Sequence, residues 1–311
     1  MYIQALILIT GLALLYIGST LLVEGAASTA VLFAVRPVII GLTIVSLATS
    51  APELLVSLVA AIKGSQGISI GNILGSNAIN ISLVLGISAI IKPVHIAKQI
   101  IKTDIPYMIG VSLIFWILCL DSNISHLDGV VLISLLIVFL IYSIRTAKEK
   151  KDPLLVSDPL NVKTILKNIL FICAGIIMLA YGANFVVQEA MEIAGKIGLS
   201  QTFIGISVVA LGTSLPELAT SAVAASKGQS DISVGNVVGS NLFNICLVMG
   251  IVGLFNPMRI DPDLHVFQFP FMAFICLTLG GIAYSRQKIS KITGLMFILL
   301  FTAYIFISYL K

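Results

Sequence analysis

The sequence predicts an all-α polytopic membrane protein with ten transmembrane helices in two inverted five-helix repeats. Three observations lead to this prediction. Hydrophobic residues make up 58% of the 311 residues and charged residues only 10%, which excludes an ordinary water-soluble domain. Long apolar stretches recur along the whole chain, without the ten-residue alternation of a membrane β-barrel. The second half of the chain also repeats the first.

The apolar stretches are each long enough to cross the hydrocarbon core of a bilayer, which is about 30 Å thick. Turn-rich or charged segments separate them, such as residues 63–67 and 121–123. We therefore expect ten helices, at residues 2–23, 37–62, 68–91, 105–120, 127–145, 164–187, 200–226, 232–254, 266–284 and 292–310.

The longest hydrophilic segment divides the chain into two halves. We expect a first transmembrane repeat at residues 1–145, a short cytoplasmic linker at 146–163 and a second, inverted repeat at 164–311. A cytoplasmic linker places fourteen of the eighteen Lys and Arg residues on the cytoplasmic side and four outside. This bias follows the positive-inside rule, and it predicts a multi-pass protein of the cell membrane with both termini extracellular.

The internal repeat appears when the sequence is shifted by 164 residues, which aligns residues 18–93 with 182–257 without a gap. Within residues 40–87, 28 of 48 positions are identical to their counterparts, whereas elsewhere the halves match mainly in hydropathy. Lipid-facing helices need only be apolar. The high identity of these segments in the two halves therefore indicates a requirement beyond burial. Five spans per half make the halves cross in opposite directions, which is the architecture of secondary transporters with a site near the midplane.

Glu53 and Glu217 occupy equivalent positions in the repeat, and they are the acids best placed deep within spans, because the other twelve lie in loops or near span ends. A charged carboxylate at such a depth costs at least a few kcal/mol unless it faces a cavity and has a partner. No Lys or Arg lies deep in a predicted span, so the simplest partner is a bound cation. Each Glu follows a proline, Pro52 or Pro216, and a proline inside a helix frees backbone carbonyls that can bind a cation.

The following span of each repeat carries a polar face. Ser76 and Asn80 are four residues apart, as are their second-repeat counterparts, so each pair shares one helical face that can turn toward the Glu. With the carboxylates and free carbonyls, these side chains can supply the roughly six to eight hard oxygen ligands that Ca²⁺ prefers. The lack of sulfur or imidazole argues against a soft transition metal. Asn77 and Asn241 lie about 60° from that face and are interpreted as interhelical hydrogen-bonding residues.

The two repeated segments resemble the alpha-repeats of the cation/calcium exchanger superfamily, and specifically those of prokaryotic sodium/calcium exchangers. The segments are Gly41 to Glu53 with Gly71 to Asn80, and Gly205 to Glu217 with Gly235 to Asn244. The resemblance extends over nearly the whole chain, since ten spans, two inverted five-helix halves and a cytoplasmic middle loop are also features of that family.

The resemblance implies a secondary active antiporter that exchanges Na⁺ for Ca²⁺ across a membrane by alternating access. It implies that Glu53 and Glu217 bind Ca²⁺ and share Na⁺, and that the first and sixth helices slide across a fixed core. No cofactor is expected, since Na⁺ and Ca²⁺ are the transported ions. By the same resemblance, hydroxyl and amide side chains complete the Na⁺ and Ca²⁺ sites, namely Thr49, Ser50, Ser76, Asn80, Thr213, Ser214, Ser240 and Asn244.

Some positions depart from the family pattern. Ser46 and Ala48 stand where the second repeat has Ala210 and Gly212, which similar family members often carry in both repeats. At Asn244 the potassium-dependent relatives have Asp, so we expect no potassium requirement. The proton/calcium branch usually has an acid within the Gly-Asn segment, which this chain lacks, and its absence favours sodium coupling.

Two other transport functions remain as alternatives, a proton-coupled Ca²⁺/cation exchanger on the same scaffold and a cation channel. An enzyme is not expected, because the sequence offers no nucleophile–base pair. The basic residues are accounted for by membrane orientation, so nucleic-acid binding is not expected either. The expected partners are the lipid bilayer and the two ions. A monomer is the expectation for the oligomeric state.

Overall fold

The structure is a computed structural model that describes residues 2–146, 162–197 and 210–310, with only the backbone described at 2–5, 190–197 and 309–310. Eight helices in these ranges are long and apolar enough to span a membrane, or nine if a helix pair bent by 43° counts as one span. The chain is therefore a helical polytopic membrane protein. The predicted helix at 200–226 and the predicted linker at 146–163 lie partly outside the described residues.

The first half of the chain folds into eight α-helices joined in part by π-helical turns. The π-helical turns lie at Gly41–Val45, Asn80–Val84 and Ile100–Asp104, and the strands are β1 (Val94–His95) and β2 (Asn123–Ile124). The helices are α1 (Tyr2–Leu32), α2 (Pro37–Ile40), α3 (Ser46–Thr49), α4 (Ala51–Ile62), α5 (Gln66–Ile79), α6 (Leu85–Ile91), α7 (Ile105–Leu118) and α8 (His126–Arg145).

The described part of the second half has the same order of elements. A π-helical turn lies at Phe243–Met249, a 3₁₀ helix at Pro262–His265, and the strands are β3 (Met258–Arg259) and β4 (Lys288–Ile289). The helices are α9 (Val162–Ile197), α10 (Ala210–Thr213), α11 (Leu215–Ser226), α12 (Ser230–Leu242), α13 (Gly250–Phe255), α14 (Gln268–Arg286) and α15 (Lys291–Leu310).

Two of the helices run well beyond their predicted ends. α1 continues to Leu32 instead of ending at residue 23, and α9 continues to Ile197 instead of residue 187. Gly25 lies inside α1, beyond the predicted end of the helix. A Cβ atom on Gly25 would lie 3.1 Å from the carbonyl oxygen of Asn168, so this glycine allows α1 to approach α9 closely.

The longer α1 corrects the interpretation of one acid. Glu24 lies inside a candidate span rather than beyond its end, whereas Glu189 is the last residue of another candidate span and Asp104 lies in a π-helical turn near the start of a third. Glu24 is half-exposed and forms an ion pair of 2.6 Å with Lys227, while Glu189 and Asp104 are buried. Glu53 and Glu217 are thus not the only buried acids in the described spans.

The core of the molecule consists of two unbroken helical segments, Gln66–Ile91 and Ser230–Phe255. In each of them 83% of the residues in the most apolar stretch are buried, against 22–39% in the other single-helix spans. These two segments are therefore surrounded by protein, whereas the others present most of their surface to the membrane. They carry Ser and Asn side chains in the middle of an otherwise apolar core.

The long helices α1 and α9 pack along each other at glycines. A Cβ atom on Gly18 would lie 2.9 Å from the carbonyl oxygen of Gly175, and one on Gly175 would lie 2.7 Å from that of Gly18. Gly11 and Gly182 make the same reciprocal approach two turns away. A side chain at these positions would separate the helices, so the glycines fix the close backbone packing of this pair.

Two short sheets connect the halves at their ends. β1 pairs antiparallel with β4, with Val94 opposite Ile289, and β2 pairs antiparallel with β3, with Ile124 opposite Met258. Each sheet therefore contains one strand from each half. α8 begins with a capping box of Ser125 and Asp128, which satisfies free N–H groups at the helix start.

Candidate ion-binding site

The helix pair α3–α4 is broken next to the first candidate glutamate. Ser50 between the helices has φ −82° and ψ 4°, and Ser214, between α10 and α11, has the nearly identical values −84° and 4°. Pro52 and Pro216 follow in the first turn of the next helix, where a fixed φ is tolerated and the missing N–H would have no helical partner. The same sequence thus produces the same break in both halves.

Glu53 and Glu217 lie in the first turns of α4 and α11, and both side chains are fully buried. The positive end of each helix dipole lies close to the carboxylate and favours its negative charge. The two carboxylates are also near enough to interact electrostatically. Among the described ion pairs, neither one is neutralised by a basic side chain.

Reciprocal hydrogen bonds join the two halves at the carboxylates. Ser50 Oγ donates to Glu217 Oε1 over 3.1 Å, and Ser214 Oγ donates to Glu53 Oε1 over 3.2 Å. Ser240 Oγ of α12 also donates to Glu217 Oε1 over 3.2 Å. Each carboxylate therefore has one oxygen bound by a hydroxyl of the opposite half.

The remaining oxygen of each carboxylate is buried without a hydrogen-bond partner among the described residues. Glu53 Oε2 and Glu217 Oε2 share this property with Ser76 Oγ, Asn80 Oδ1 and Asn244 Oδ1. All five atoms are able to accept, and all five belong to the residues that the sequence predicts as ligands. Buried oxygens without donors are expensive, and a cation is one kind of partner able to satisfy such acceptors.

The amide groups of Asn80 and Asn244 are oriented by two further asparagines. Asn80 Nδ2 donates to Asn241 Oδ1 over 3.2 Å, and Asn244 Nδ2 donates to Asn77 Oδ1 over 3.1 Å. These bonds leave Oδ1 of Asn80 and Asn244 free as acceptors. They also confirm the prediction that Asn77 and Asn241 make hydrogen bonds between helices.

All ten predicted site residues are buried, and the structure joins most of them into one network. Thr49 Oγ1 lies 3.4 Å from Ser240 Oγ, and the Thr213 hydroxyl interacts with the Glu53 carboxylate. Ser76, Asn80 and Asn244 have no described hydrogen bond to a carboxylate, and each has a buried oxygen without a partner among the described residues. Gly205, at the start of the second repeated segment, lies outside the described residues.

Sequence reasoning missed two buried residues of this network, Asn72 and Asn236. Asn72 accepts a hydrogen bond of 3.1 Å from Thr213 Oγ1, and Asn236 accepts one of 3.2 Å from Thr49 Oγ1. The signal was present, because Asn72 lies four residues before Ser76 and so belongs to the same helical face.

Ser46, which differs from Ala210 in the second repeat, packs between helices. Its hydroxyl donates to the carbonyl of Gly41 over 2.6 Å and lies 3.1 Å from the carbonyl oxygen of Asn236. A Cβ atom on Gly239 would collide with the Ser46 hydroxyl. The departure from repeat symmetry at Ser46 is therefore explained by packing of the π-helical segment against α12.

The described residues contain no group of three or more His, Cys, Asp or Glu side chains that could hold a metal ion. The site instead combines two carboxylates with neutral hydroxyl and amide oxygens. Such a donor set suits hard cations such as Na⁺ and Ca²⁺, whereas transition metals prefer imidazole and thiolate.

Comparisons with known proteins agree with this chemistry. The family described as "Sodium/calcium exchanger protein" matches residues 3–145 and 167–310. The chain is 32% identical to "Putative antiporter CaxA" of Alkalimonas amylolytica, with 98% of both chains covered. It is 29% identical to "Sodium/calcium exchanger MaX1" of Methanosarcina acetivorans, again with 98% of both covered.

A solved structure extends the likeness to three dimensions. The sodium-calcium exchanger NCX_Mj soaked with 10 mM Na⁺ and no Ca²⁺ is 31% identical to this chain and superposes with a TM-score of 0.85. The superposition covers 97% of this chain and 98% of that one. On the evidence of the family match and the fold, the chain belongs to the sodium/calcium exchanger protein family.

Proposed function

We propose that this protein is a secondary active antiporter that exchanges Na⁺ for Ca²⁺ across a membrane by alternating access. The observation that carries the proposal is the buried pair Glu53 and Glu217. Each has one oxygen held by a serine of the opposite half and one oxygen without a described partner. Family membership and the printed names of the relatives support the choice of ions.

The ion sites combine the two carboxylates with neutral oxygens. Ca²⁺ occupies the position between Glu53 and Glu217, because a divalent ion gains most from two negative ligands. Na⁺ ions use the same carboxylates one at a time, together with the surrounding neutral groups. The proposed neutral ligands are Thr49, Ser50, Ser76, Asn80, Thr213, Ser214, Ser240 and Asn244.

Coupling follows from competition for the carboxylates. Na⁺ and Ca²⁺ both seek hard oxygen ligands, so occupation by one ion excludes the other. An unneutralised carboxylate pair is costly to enclose in a dry protein interior, by several kcal/mol per charge. The empty site therefore resists occlusion, and the protein changes its accessible side only when Na⁺ or Ca²⁺ is bound.

Ten transmembrane helices in two inverted repeats complete the proposed architecture. Pairs of hydrogen bonds related by 164 residues support it. The Ser50–Glu217 bond corresponds to Ser214–Glu53, and the Asn80–Asn241 bond corresponds to Asn244–Asn77. The repeat domains proposed are residues 1–145 and 164–311, with the linker 146–163 between them.

Movement of α1 and α9 across the core is the proposed means of alternating access. The two helices pack on each other through glycines, which favours their movement as a unit. An apolar groove of about 360 Å³ lies between α1 and α11, lined by residues such as Leu12, Tyr16 and Leu218. Apolar, loosely filled contact of this kind permits sliding, and the exposed ion pair between Glu24 and Lys227 would have to break.

The remaining proposals concern the setting of the protein. We place the linker in the cytoplasm and both termini outside, on the basis of the Lys and Arg distribution. The lipid bilayer and the two transported ions are the proposed partners. The protein acts as a monomer, without a cofactor and without enzymatic activity.

Transport in reconstituted vesicles tests the function. Vesicles loaded with Na⁺ receive radioactive Ca²⁺ outside, and uptake is compared with Na⁺ on both sides and with a proton gradient alone. We expect uptake only with an outward Na⁺ gradient. Uptake driven by protons alone would assign the protein to proton-coupled exchange, and Ca²⁺ flux independent of any ion on the opposite side would indicate a channel.

A further inference from the structure

Asn72 forms a bridge between the two halves of the protein. Its Nδ2 group donates to Ser57 Oγ over 3.0 Å and lies 3.4 Å from the backbone carbonyl of Glu53, both in α4. Its Oδ1 atom accepts from Thr213 Oγ1 of α10 over 3.1 Å. The buried amide of Asn72 thus contacts both α4, which carries Glu53, and the Thr213 hydroxyl of the opposite half.

The partners fix the direction of this amide. Ser57 uses its own hydrogen to donate to the carbonyl of Ser69 over 3.2 Å, so its oxygen accepts from Asn72. The Glu53 carbonyl can only accept. Both partners therefore require the NH₂ group of Asn72 on the α4 side, and its oxygen then faces Thr213. Because an amide oxygen cannot donate, the Thr213 hydroxyl supplies the hydrogen of this 3.1 Å bond, and the Ala210 carbonyl at 3.2 Å is a second acceptor for it.

Asn236 repeats the arrangement in the second half. Its Nδ2 group donates to Ser221 Oγ over 3.0 Å and lies 3.5 Å from the Glu217 carbonyl, while its Oδ1 accepts from Thr49 Oγ1 over 3.2 Å. The recurrence of the bridge at 164 residues, with each Thr supplied by the other half, indicates a shared role.

The Thr hydroxyls have competing acceptors. The carbonyl of Ala210 lies 3.2 Å from the Thr213 hydroxyl and that of Ser46 lies 3.4 Å from the Thr49 hydroxyl, and the carboxylates of Glu53 and Glu217 are near enough for the same hydroxyls to stabilise their charge. A hydroxyl that donates to a carboxylate places its hydrogen where a cation must bind and occupies a carboxylate lone pair. A hydroxyl that donates to the asparagine keeps its oxygen lone pairs available to the cation.

We propose that Asn72 and Asn236 are positioning residues that draw the hydroxyl hydrogens of Thr213 and Thr49 away from the carboxylates and thereby set the sodium affinity. This inference rests on the proposed exchange of Na⁺ for Ca²⁺. The change in affinity is expected mainly for Na⁺, because several monovalent ions must share two carboxylates. Neutral oxygens therefore supply much of the coordination shell of each Na⁺ ion. Ca²⁺ is bound mainly by both carboxylates and depends less on the hydroxyls.

Ion-induced thermal stabilisation of the purified protein tests the inference, because the stabilisation grows with the ratio of ligand concentration to Kd. Melting is followed in detergent during separate NaCl and CaCl₂ titrations, with choline chloride to hold ionic strength. We expect Asn72→Ala to raise the half-saturating Na⁺ concentration about tenfold, as for loss of one hydrogen bond at a charged site. The half-saturating Ca²⁺ concentration should change less than twofold.

A double-mutant comparison shows whether Asn72 acts through Thr213. In a Thr213→Val background, Asn72→Ala should cause no further loss of Na⁺ affinity, and Thr213→Ser alone should bind Na⁺ like the wild type. Parallel weakening of Na⁺ and Ca²⁺, or an undiminished effect in the Thr213→Val background, would overturn the inference and leave a structural role for Asn72.

The controls separate the possible failures. Ser112→Ala removes a buried hydroxyl that donates to the Met108 carbonyl outside the site, and it should leave both titrations unchanged. If Asn72→Ala does not fold, Asn236→Ala with Thr49→Val repeats the comparison in the second half. A wild-type protein stabilised by neither ion contradicts the proposed function itself, whereas normal wild-type stabilisation with an unaltered Asn72→Ala contradicts only this inference.

Discussion

Ser50 of the first half donates a 3.1 Å hydrogen bond to the carboxylate of Glu217 in the second, and Ser214 makes the corresponding bond to Glu53. Each glutamate is therefore held by a residue that lies more than 160 positions away in sequence. The bond fixes the direction of one carboxylate oxygen and leaves the other for an ion. The two halves cannot separate at the site without exposing both buried charges.

Both serines should contribute to Ca²⁺ binding. Ser50→Ala and Ser214→Ala each remove one donor to a carboxylate, and a hydrogen bond to a charged group contributes about 1.5–3 kcal/mol. We expect each change to raise the Ca²⁺ concentration needed for half-maximal thermal stabilisation at least tenfold. Wild-type stabilisation by Ca²⁺ in either variant would contradict the role of that serine.

The glutamates themselves should be indispensable for exchange. Glu53→Gln and Glu217→Gln keep the shape of the side chain but remove half of the negative charge that neutralises Ca²⁺. Radioactive Ca²⁺ uptake into Na⁺-loaded vesicles should fall at least a hundredfold in either variant. Glu24→Gln is the matched control, because Glu24 is half-exposed and paired with Lys227. Robust coupled exchange in either site variant would eliminate the proposed site.

Close packing of α1 against α9 should be sensitive to a single methyl group. In Gly18→Ala the new Cβ atom would lie 2.9 Å from both the Gly175 carbonyl oxygen and Met178 Cβ. Overpacking of this kind costs about 1–3 kcal/mol, so thermal unfolding in detergent should occur several degrees lower.

Gly110→Ala provides the control for this change. No atom of the described structure lies within 4 Å of a Cβ atom built on Gly110, and alanine favours the helix more than glycine does. Its melting temperature should equal or exceed that of the wild type. Equal melting temperatures for the two alanine variants would show that the glycine contact between α1 and α9 is unimportant.

The ion pair between Glu24 and Lys227 gives a way to test movement of α1. Lys227 follows α11, so a link between the two positions ties α1 to the core. In a protein without its natural cysteines, Glu24→Cys and Lys227→Cys are joined with a short bifunctional thiol reagent. We expect the link to stop Ca²⁺ uptake, while each single cysteine treated alike remains active. Full activity of the linked protein would mean that α1 does not slide.

The candidate site was largely predictable because its chemistry is local and repeated. A proline before a buried acid, Pro52 before Glu53, indicates both a break and a charge in need of a partner, and the same signal recurs at Glu217. Ser76 and Asn80 could be placed on one face by spacing alone. The structure agrees that all of these side chains are buried.

Features that depend on contacts between distant segments could not be predicted in this way. The apolar pattern predicts that α1 ends at residue 23, yet the helix continues to Leu32, and Gly25 packs against α9 within it. Asn72 lies on the predicted polar face, but its role becomes apparent only when Thr213 of the other half is seen beside it. Sequence spacing describes one helix at a time and contains no information about which hydroxyl faces which amide.

The exchange of hydroxyl donors between the halves also bears on the evolutionary origin of the site. A half-length ancestor with the sequence of either repeat would contain one such glutamate and one serine equivalent to Ser50 or Ser214, and that serine would bond the glutamate of another copy. On the proposed inverted arrangement, such a protein would assemble both of these bonds as a pair of molecules inserted with opposite orientation. Gene duplication and fusion would then have joined the two halves in one chain, so that their association no longer depended on concentration.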